Sequence, residues 1–258
     1  MTLDAHSALI RDQFTRQAVP FSTAAPIADA GALRMIVDAA AAGPDDTVLD
    51  VACGGGIVVC AFAPFVRHAT GIDMTAAMLE RARRLAAEKG VANVAWQEGD
   101  VTHLPYPDGA FTIVVTRFAV HHFPDPGAVM REMVRVCAPG GHVVVVDSYA
   151  SPDPAKAAAF NRLELLRDPS HARCLPRAEL KDLFQAVGLG EPREAFYELR
   201  DTVANLLARS FPNPGDDRKI IDLFAASIED DRLGIAVRRD GEKLEYAYPV
   251  AILAACKP

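Results

Sequence analysis

The nine residues from Val48 to Gly56, VLDVACGGG, constrain this chain more than any other stretch. An apolar run interrupted by one acid, Asp50, leads directly into three consecutive glycines. The pattern is that of a buried strand that ends in a carboxylate and turns into a helix, predicted over Ile57 to Phe65. Glycines carry no Cβ, so the turn can be tight and a ligand can come close to the backbone. A second acid, Asp73, follows about one βαβ half-unit later, near the end of the run His68 to Met74. That spacing suits an acid that hydrogen-bonds a ribose diol. Together these features predict a nucleoside-containing cofactor lying across the carboxyl ends of a parallel sheet.

A dinucleotide is the first rival. Its fingerprint needs three glycines, the third for close packing of helix on strand. Counting from Gly54 gives Gly54, Gly56 and Val59, and counting from Ala52 gives Ala52, Gly54 and Ile57, so neither register completes it. Asp50 is a second objection, because an anion at the strand end repels a pyrophosphate. A Walker-type phosphate loop is excluded because no Gly-Lys-Ser/Thr follows the turn. The same anion suits a cofactor that carries an ammonium and a sulfonium and no phosphate, which describes S-adenosylmethionine.

The chain resembles the class I SAM-dependent methyltransferases, and within them the UbiE-like group that acts on small molecules. The resemblance covers Thr47 to Tyr149 and rests on four blocks in order. They are VLDVACGGG, GIDMTAAMLERAR from Gly71 to Arg83, EGDVTHLPYPDGAFTIVV from Glu98 to Val115, and RFAVHHFPDPGAVMREMVRVCAPGGHVVVVD from Arg117 to Asp147. Ala52 stands where the family more usually has glycine. The resemblance implies a Rossmann-like, doubly wound α/β fold with a mostly parallel seven-stranded sheet, a reversed last strand and helical lid additions.

It also implies roles. Asp50, Ala52, Gly54 and Gly56 line the methionine end of the cofactor. Asp73 takes the ribose hydroxyls and Met74 packs on adenine, with Met78 either core or cofactor contact. Asp100 and Val101 meet the adenine. Thr116 and Arg117 reach the amino-acid part of the cofactor and the floor of the substrate pocket. A nucleophile on the acceptor would attack the sulfonium methyl in line, leaving S-adenosylhomocysteine. His121 is the candidate general base, since histidine titrates near neutral pH; packing of the fold is the competing reading. Candidates for the substrate pocket are Phe14, Phe21, His122, Phe123, Tyr149, His171 and Tyr197, each aromatic weighed against a plain core role.

Composition narrows the partners. A formal net charge of −7 argues against a general nucleic-acid binder, and the cluster Arg81, Arg83 and Arg84 reads as the solvated face of a helix. Five cysteines, with no C-x-x-C pair, read as free thiols in a reducing compartment. No Cys/His set has ligand spacing, so no metal is expected. The N-terminal MTLDAHSALIRDQF lacks the features of a signal peptide, and the apolar runs are too short to span a membrane. The expectation is a soluble cytoplasmic protein acting on a small, hydrophobic acceptor, monomer or homodimer. The alternatives are a SAM-binding enzyme of cyclase-like chemistry and a catalytically silent SAM-binding partner.

Along the chain, a helix is predicted over Leu3 to Ala18 and a loop over Phe14 to Pro26, then a helix over Asp29 to Ala42. Strands Thr47 to Cys53, Thr70 to Met74, Val94 to Gln97, Thr112 to Thr116 and His142 to Asp147 alternate with helices Ile57 to Phe65, Ala76 to Glu88 and Pro126 to Cys137. Such alternation implies a parallel sheet with helices on both faces. Pro139-Gly140-Gly141 reads as a helix stop. Helices over Asp153 to Arg167 and Pro176 to Val187, a strand over Glu194 to Leu199, and helices over Thr202 to Ser210 and Arg218 to Ile228 follow. Asp240-Gly241 predicts a hairpin between Leu233 to Arg238 and Leu244 to Ala255. The simplest parse is one domain: residues 1–45 as a helical cap, 46–150 as the cofactor-binding core, 151–245 as lid and substrate-side additions, and 246–258 as the last strand.

Overall fold

The structure, a computed structural model, describes residues 3–258, with side chains from Ala5 onward. Met1 and Thr2, the start of the expected cap, lie outside the described residues. Helices α1 (Leu3–Ser22) and α2 (Ala30–Ala39) precede the sheet. The alternating part then runs β1 (Thr47–Val51), α3 (Ile57–Phe62), β2 (His68–Asp73), α4 (Ala76–Lys89), β3 (Val94–Glu98), β4 (Phe111–Arg117), α5 (Pro126–Val136) and β5 (Cys137–Ser148). Beyond it come α6 (Pro154–Arg167), α7 (Arg177–Ala186), β6 (Arg193–Thr202), α8 (Val203–Ala208), α9 (Asp216–Ala226), β7 (Arg238–Asp240) and β8 (Lys243–Cys256).

The strand order is β3-β2-β1-β4-β5-β8-β6, with β7 paired to β8 off this path. The first five strands are mutually parallel, and β8 enters antiparallel between β5 and β6. This is the expected Rossmann-like sheet with a reversed last strand. The three-residue β7 adds an eighth strand to the expected seven. The order reverses between β1 and β4. In open α/β sheets ligands bind at such a switch, outside the carboxyl ends of the strands. Asp50 sits one residue from the end of β1, Asp73 ends β2 and Arg117 ends β4.

The sheet is buried on both faces, and strand alternation sorts the side chains between them. Val48, Ile113, Val144 and Val146 belong to one core cluster, whereas Leu49, Val114, Val143 and Val145 belong to the other. Helix ends are fixed by acids that precede them: Asp29 accepts from Ala32 N, Asp125 from Ala128 N and Asp153 from Ala155 N.

Three expectations need correction. The segment Phe14 to Ser22 is helical, not a loop, and α1 runs through Pro20. A proline inside a helix costs one backbone hydrogen bond. Tertiary bonds hold the helix nonetheless: Gln13 Nε2 donates to the Phe211 carbonyl at 3.3 Å and Gln17 Nε2 to Asp168 Oδ2 at 2.8 Å. Next, Pro139 to Gly141 lies inside β5 rather than between elements. Pairing passes from Phe111↔Cys137 to Ile113↔His142 across an irregularity, with Gly140 at φ 76°. Finally, the expected hairpin is short: β7 pairs only from Arg238↔Glu245 to Asp240↔Lys243. Among the described residues no helix is long and apolar enough to cross a membrane.

Candidate functional site

The carboxyl ends of β1, β2 and β4 open into a cavity of about 350 Å³. Helix α1 roofs it with His6, Ile10, Phe14 and Phe21. These residues recur every four or seven positions, which puts them on one helix face. That periodicity was the sequence signal for His6 and Ile10, which reading by motif missed. The roof is pinned at both ends: His6 Nε2 donates to the His122 carbonyl at 2.8 Å, and Gln17 reaches Asp168.

The glycine-rich turn shapes the floor. Ala52 is held at φ 58° and Gly54 at 50°, in the left-handed region. Alanine there costs about 1–2 kcal/mol, and such strain is retained where the surroundings impose it. A Cβ on Gly55 would run into Ser22 Oγ of α1, so that glycine lets the roof come down on the loop. Gly54 N donates to Asp73 Oδ2 at 2.9 Å, and Thr75 N to Asp73 Oδ1 at 2.9 Å. Asp73 thus pins the loop from below while still bordering the cavity. Phe118, which follows β4, is also left-handed at φ 54°, and its ring borders the cavity with Arg117 stacked 4.6 Å from it.

The charges at the floor are unbalanced. Asp50 is 1% exposed, and no protein group donates to either of its oxygens. Burial raises its pKa well above the usual carboxylate value, Asp73 raises it further, and Arg117 opposes both. Asp73 is also raised by burial, against the hydrogen bonds from Gly54 and Thr75. Arg117 is 8% exposed; it gives Nη1 to the Ile27 carbonyl at 2.9 Å and Nη2 to Tyr197 at 3.4 Å, and its Nε has no partner. A buried carboxylate without donors is costly. A cationic group in the cavity would relieve it, and this is the feature that fits an amino-acid ammonium or a sulfonium and opposes a phosphate.

Of the residues expected at the cofactor, Asp50, Ala52, Gly54, Asp73, Met74 and Met78 border this cavity, as do Asp100, Val101 and Arg117. Gly56 and Thr116 do not. A Cβ on Gly56 would stand 2.5 Å from the Trp96 ring and 2.7 Å from Ala82, so this glycine serves packing. Thr116 Oγ1 donates to the Val51 carbonyl at 2.8 Å and ties β4 to β1.

The expected acceptor residues divide similarly. Phe14, Phe21, His122 and Phe123 border the cavity. Tyr149, His171 and Tyr197 lie outside it. Tyr149 packs edge-on to Phe196 at 6.3 Å, Tyr197 meets Arg117, and His171 donates or accepts through Nε2 at Asn161, 2.9 Å away.

His121 borders a smaller, adjoining cavity. Its Nδ1 lies 2.6 Å from Asp147 Oδ1, and Asp147 is 1% exposed. Burial works to lower the pKa of His121, but the charge and hydrogen bond of Asp147 outweigh it and the net direction is up. The neighbouring rings go the other way. His122 is pushed down to about 4 and His171 to about 3, in each case by burial first and then by His121. Of these three neighbouring imidazoles only His121, the one paired with a carboxylate, is shifted upward. Among the described residues no group of three or more His, Cys, Asp or Glu is arranged to hold a metal ion.

A family model described as a methyltransferase domain matches residues 49–145. The chain is 37% identical over 173 residues to the uncharacterized methyltransferase YcgJ of Bacillus subtilis, covering 67% of this chain and 68% of that one. The crystal structure of YcgJ superposes with a TM-score of 0.81 at 30% identity, over 88% of this chain and 98% of that one. A 2-phytyl-1,4-naphtoquinone methyltransferase of Synechococcus elongatus is 34% identical over 128 residues, 47% of this chain and 54% of that one. The [4+2]-cyclase SpnF shares the fold alone, with a TM-score of 0.62 at 20% identity over 89% of this chain and 81% of that one.

Proposed function

Since this chain belongs to the class I S-adenosylmethionine-dependent methyltransferases, we propose that it methylates a small molecule with a largely apolar body, bound between α1 and the sheet. The observation that carries the reading is Asp50: a buried carboxylate at the end of β1, facing a cavity, with no protein donor on either oxygen. The ammonium of S-adenosylmethionine would answer it. When bound, the cofactor supplies an electrophilic methyl group on a cationic sulfur.

The chain's own residues do the rest. Asp73 would take the ribose hydroxyls on the lone pairs that Gly54 and Thr75 leave free. Met74 and Val101 would flank the adenine, and Asp100 would accept from its exocyclic amine. Ala52 and Gly54 let the backbone approach the ligand, and Met78 fills the wall beside it. Arg117 would meet the carboxylate of the amino-acid part. Phe14, Phe21 and Phe123 exclude water from the acceptor, and holding two reactants in line is worth up to roughly 7–11 kcal/mol of barrier.

His121 would act as general base for a hydroxyl or carbon acid. Asp147 accepts from Nδ1–H, which leaves the Nε2 lone pair to take the proton. Residues 46–150 would form the cofactor-binding core, with α1 from the first span and α6 and α8 from 151–245 closing over it, while β6, β7 and the last strand extend its sheet. Five cysteines without a disulfide favour a reducing compartment, and we place the protein in the cytoplasm on that ground.

Calorimetry with S-adenosylmethionine and S-adenosylhomocysteine, followed by transfer of a radiolabelled methyl group to fractions of cell extract, tests the reading. Heat from both ligands and label in a small-molecule fraction are expected. Binding without label transfer to any fraction would favour a SAM-dependent reaction other than methylation. Absence of heat from both ligands would refute the assignment of the cavity.

A further inference from the structure

The cavity that His121 borders measures about 60 Å³ and shares Phe14, Phe21, Ile27, Phe118 and His122 with the larger one as common wall. Its far side is charged. Glu164 and Arg167 come from the last turn of α6, Asp168 from the residue after it, Arg209 from the end of α8 and Tyr248 from β8. Burying charges costs stability unless each is paired, so the destination of every donor and acceptor matters.

The carboxylate acceptors are occupied. Glu164 Oε1 accepts the Tyr248 hydroxyl at 2.6 Å, and Oε2 accepts Arg167 Nε and Nη2 at 3.0 and 2.6 Å. Asp168 Oδ2 accepts Gln17 Nε2 at 2.8 Å, and Oδ1 accepts Ser170 N and Oγ at 2.9 and 2.6 Å. The donors are not all spent. Arg167 directs both of its bonds at one carboxylate oxygen, which leaves Nη1 without a protein partner. Arg209 gives Nη1 to Asp201 and Nη2 to the Tyr246 hydroxyl at 3.0 Å, which leaves Nε. Neither leftover nitrogen is among the walled-in unpartnered atoms, so both keep accessible surface on residues that border the cavity.

The sign of the wall narrows the ligand. Arg167 is matched by Glu164, Arg209 by Asp201 and His121 by Asp147, and Asp168 adds a further negative charge. Among the described residues no excess cation borders this cavity to bind a carboxylate or phosphate. Spare N–H donors beside a balanced charge suit a neutral oxygen acceptor. We propose that this wall anchors a carbonyl group of the methyl acceptor, through Arg167 and Arg209, while Leu199 and Leu206 take the adjoining hydrocarbon. The proposal rests on the larger cavity being the cofactor site, and it assigns α6 and α8 to acceptor selection.

The test uses two probes of nearly equal shape, 3-hydroxyacetophenone and 3-ethylphenol, titrated into the full chain saturated with S-adenosylhomocysteine. A hydrogen bond to a charged donor predicts a preference for the ketone of about tenfold or more. Replacing a buried pair together is tolerated far better than breaking it, so the variants are Arg167→Gln with Glu164→Gln, and separately Arg209→Gln with Asp201→Asn. Each is expected to cut the preference by several-fold with S-adenosylhomocysteine affinity kept. Equal binding of the two probes to the unaltered protein overturns the proposal without any variant, as does a preference that survives both double substitutions. Failure of S-adenosylhomocysteine to bind the unaltered protein would instead refute the reading of the larger cavity.

Discussion

Asp50→Asn should make the cofactor-free protein more stable and its cofactor grip weaker. The two effects have one cause. Asp50 is buried, receives no protein hydrogen bond, and lies near a second carboxylate, Asp73. Its folded pKa is therefore raised, by burial first and by Asp73 second. A carboxyl raised on folding destabilises the fold where the unfolded chain ionises it. The penalty is absent below the unfolded value of about 3.8 and grows as pH rises toward the folded value. Leaving a buried polar group unsatisfied costs about 1–3 kcal/mol, and more when it is charged. Asparagine keeps the shape and removes the charge, so a gain of about 1–2 kcal/mol at pH 8 is expected. That corresponds to a midpoint increase of roughly 2–8 °C for a chain of this size. Loss of a charge-assisted bond to an ammonium, about 1.5–3 kcal/mol, should weaken S-adenosylhomocysteine binding by roughly 10- to 100-fold. Denaturant titration of ligand-stripped protein at pH 8 and pH 4.5, with calorimetry on the same samples, measures both. The stability gap should shrink at the lower pH. A variant that is less stable than the parent at pH 8, or that binds S-adenosylhomocysteine as tightly, would refute the reasoning.

Other perturbations read other parts of the site. Ala52→Gly removes left-handed strain at the cost of extra chain entropy, and a net stabilisation of about 0.5–1 kcal/mol is expected by chemical denaturation. Gly56→Ala forces a methyl group against Trp96 and Ala82 at positive φ, so a loss of about 2–4 kcal/mol is expected in the same assay. Asp147→Asn should lower kcat by roughly 10²-fold or more for a hydroxyl acceptor, because Nε2 loses its fixed tautomer, while S-adenosylhomocysteine affinity stays unchanged by calorimetry. The His121–Asp147 pair should also show in stability. His121 has a raised folded pKa, so its contribution is fully present below pH 6.5 and is lost as pH rises through the folded value. The stability gap between the parent and His121→Gln should narrow over that range.

Much of the fold was legible because local pattern and burial agree along it. The valine run Val143 to Val146 is apolar at every position because both sheet faces are covered, so it reads as a central strand without knowledge of its neighbours. The helices predicted from Asp29, Pro126 and Asp153 start within a residue of those starts because a cap is a local bond, accepted here by Asp29, Asp125 and Asp153. Helix α1 was only half legible. Pro20 and Phe21 read as a loop, and the bonds from Gln13 and Gln17 that carry the helix onward come from residues more than 150 positions away. Gly56 and Thr116 show the limit within a motif. Three adjacent glycines look alike in sequence, yet Gly54 and Gly55 border the cavity while Gly56 makes room for Trp96.

Residue order dictates a parallel sheet, a glycine-rich turn after its first strand and acids at the ends of the first two strands. These follow from residue periodicity and from backbone sterics within a few residues, which any fold of this chain must respect. Only long-range packing selects which acid is left without donors, which histidine is paired with a carboxylate, and which guanidiniums have bonds to spare. Those properties are set by distances of about 3 Å between segments remote in the chain, and a hydrogen bond fades within a fraction of an ångström beyond that.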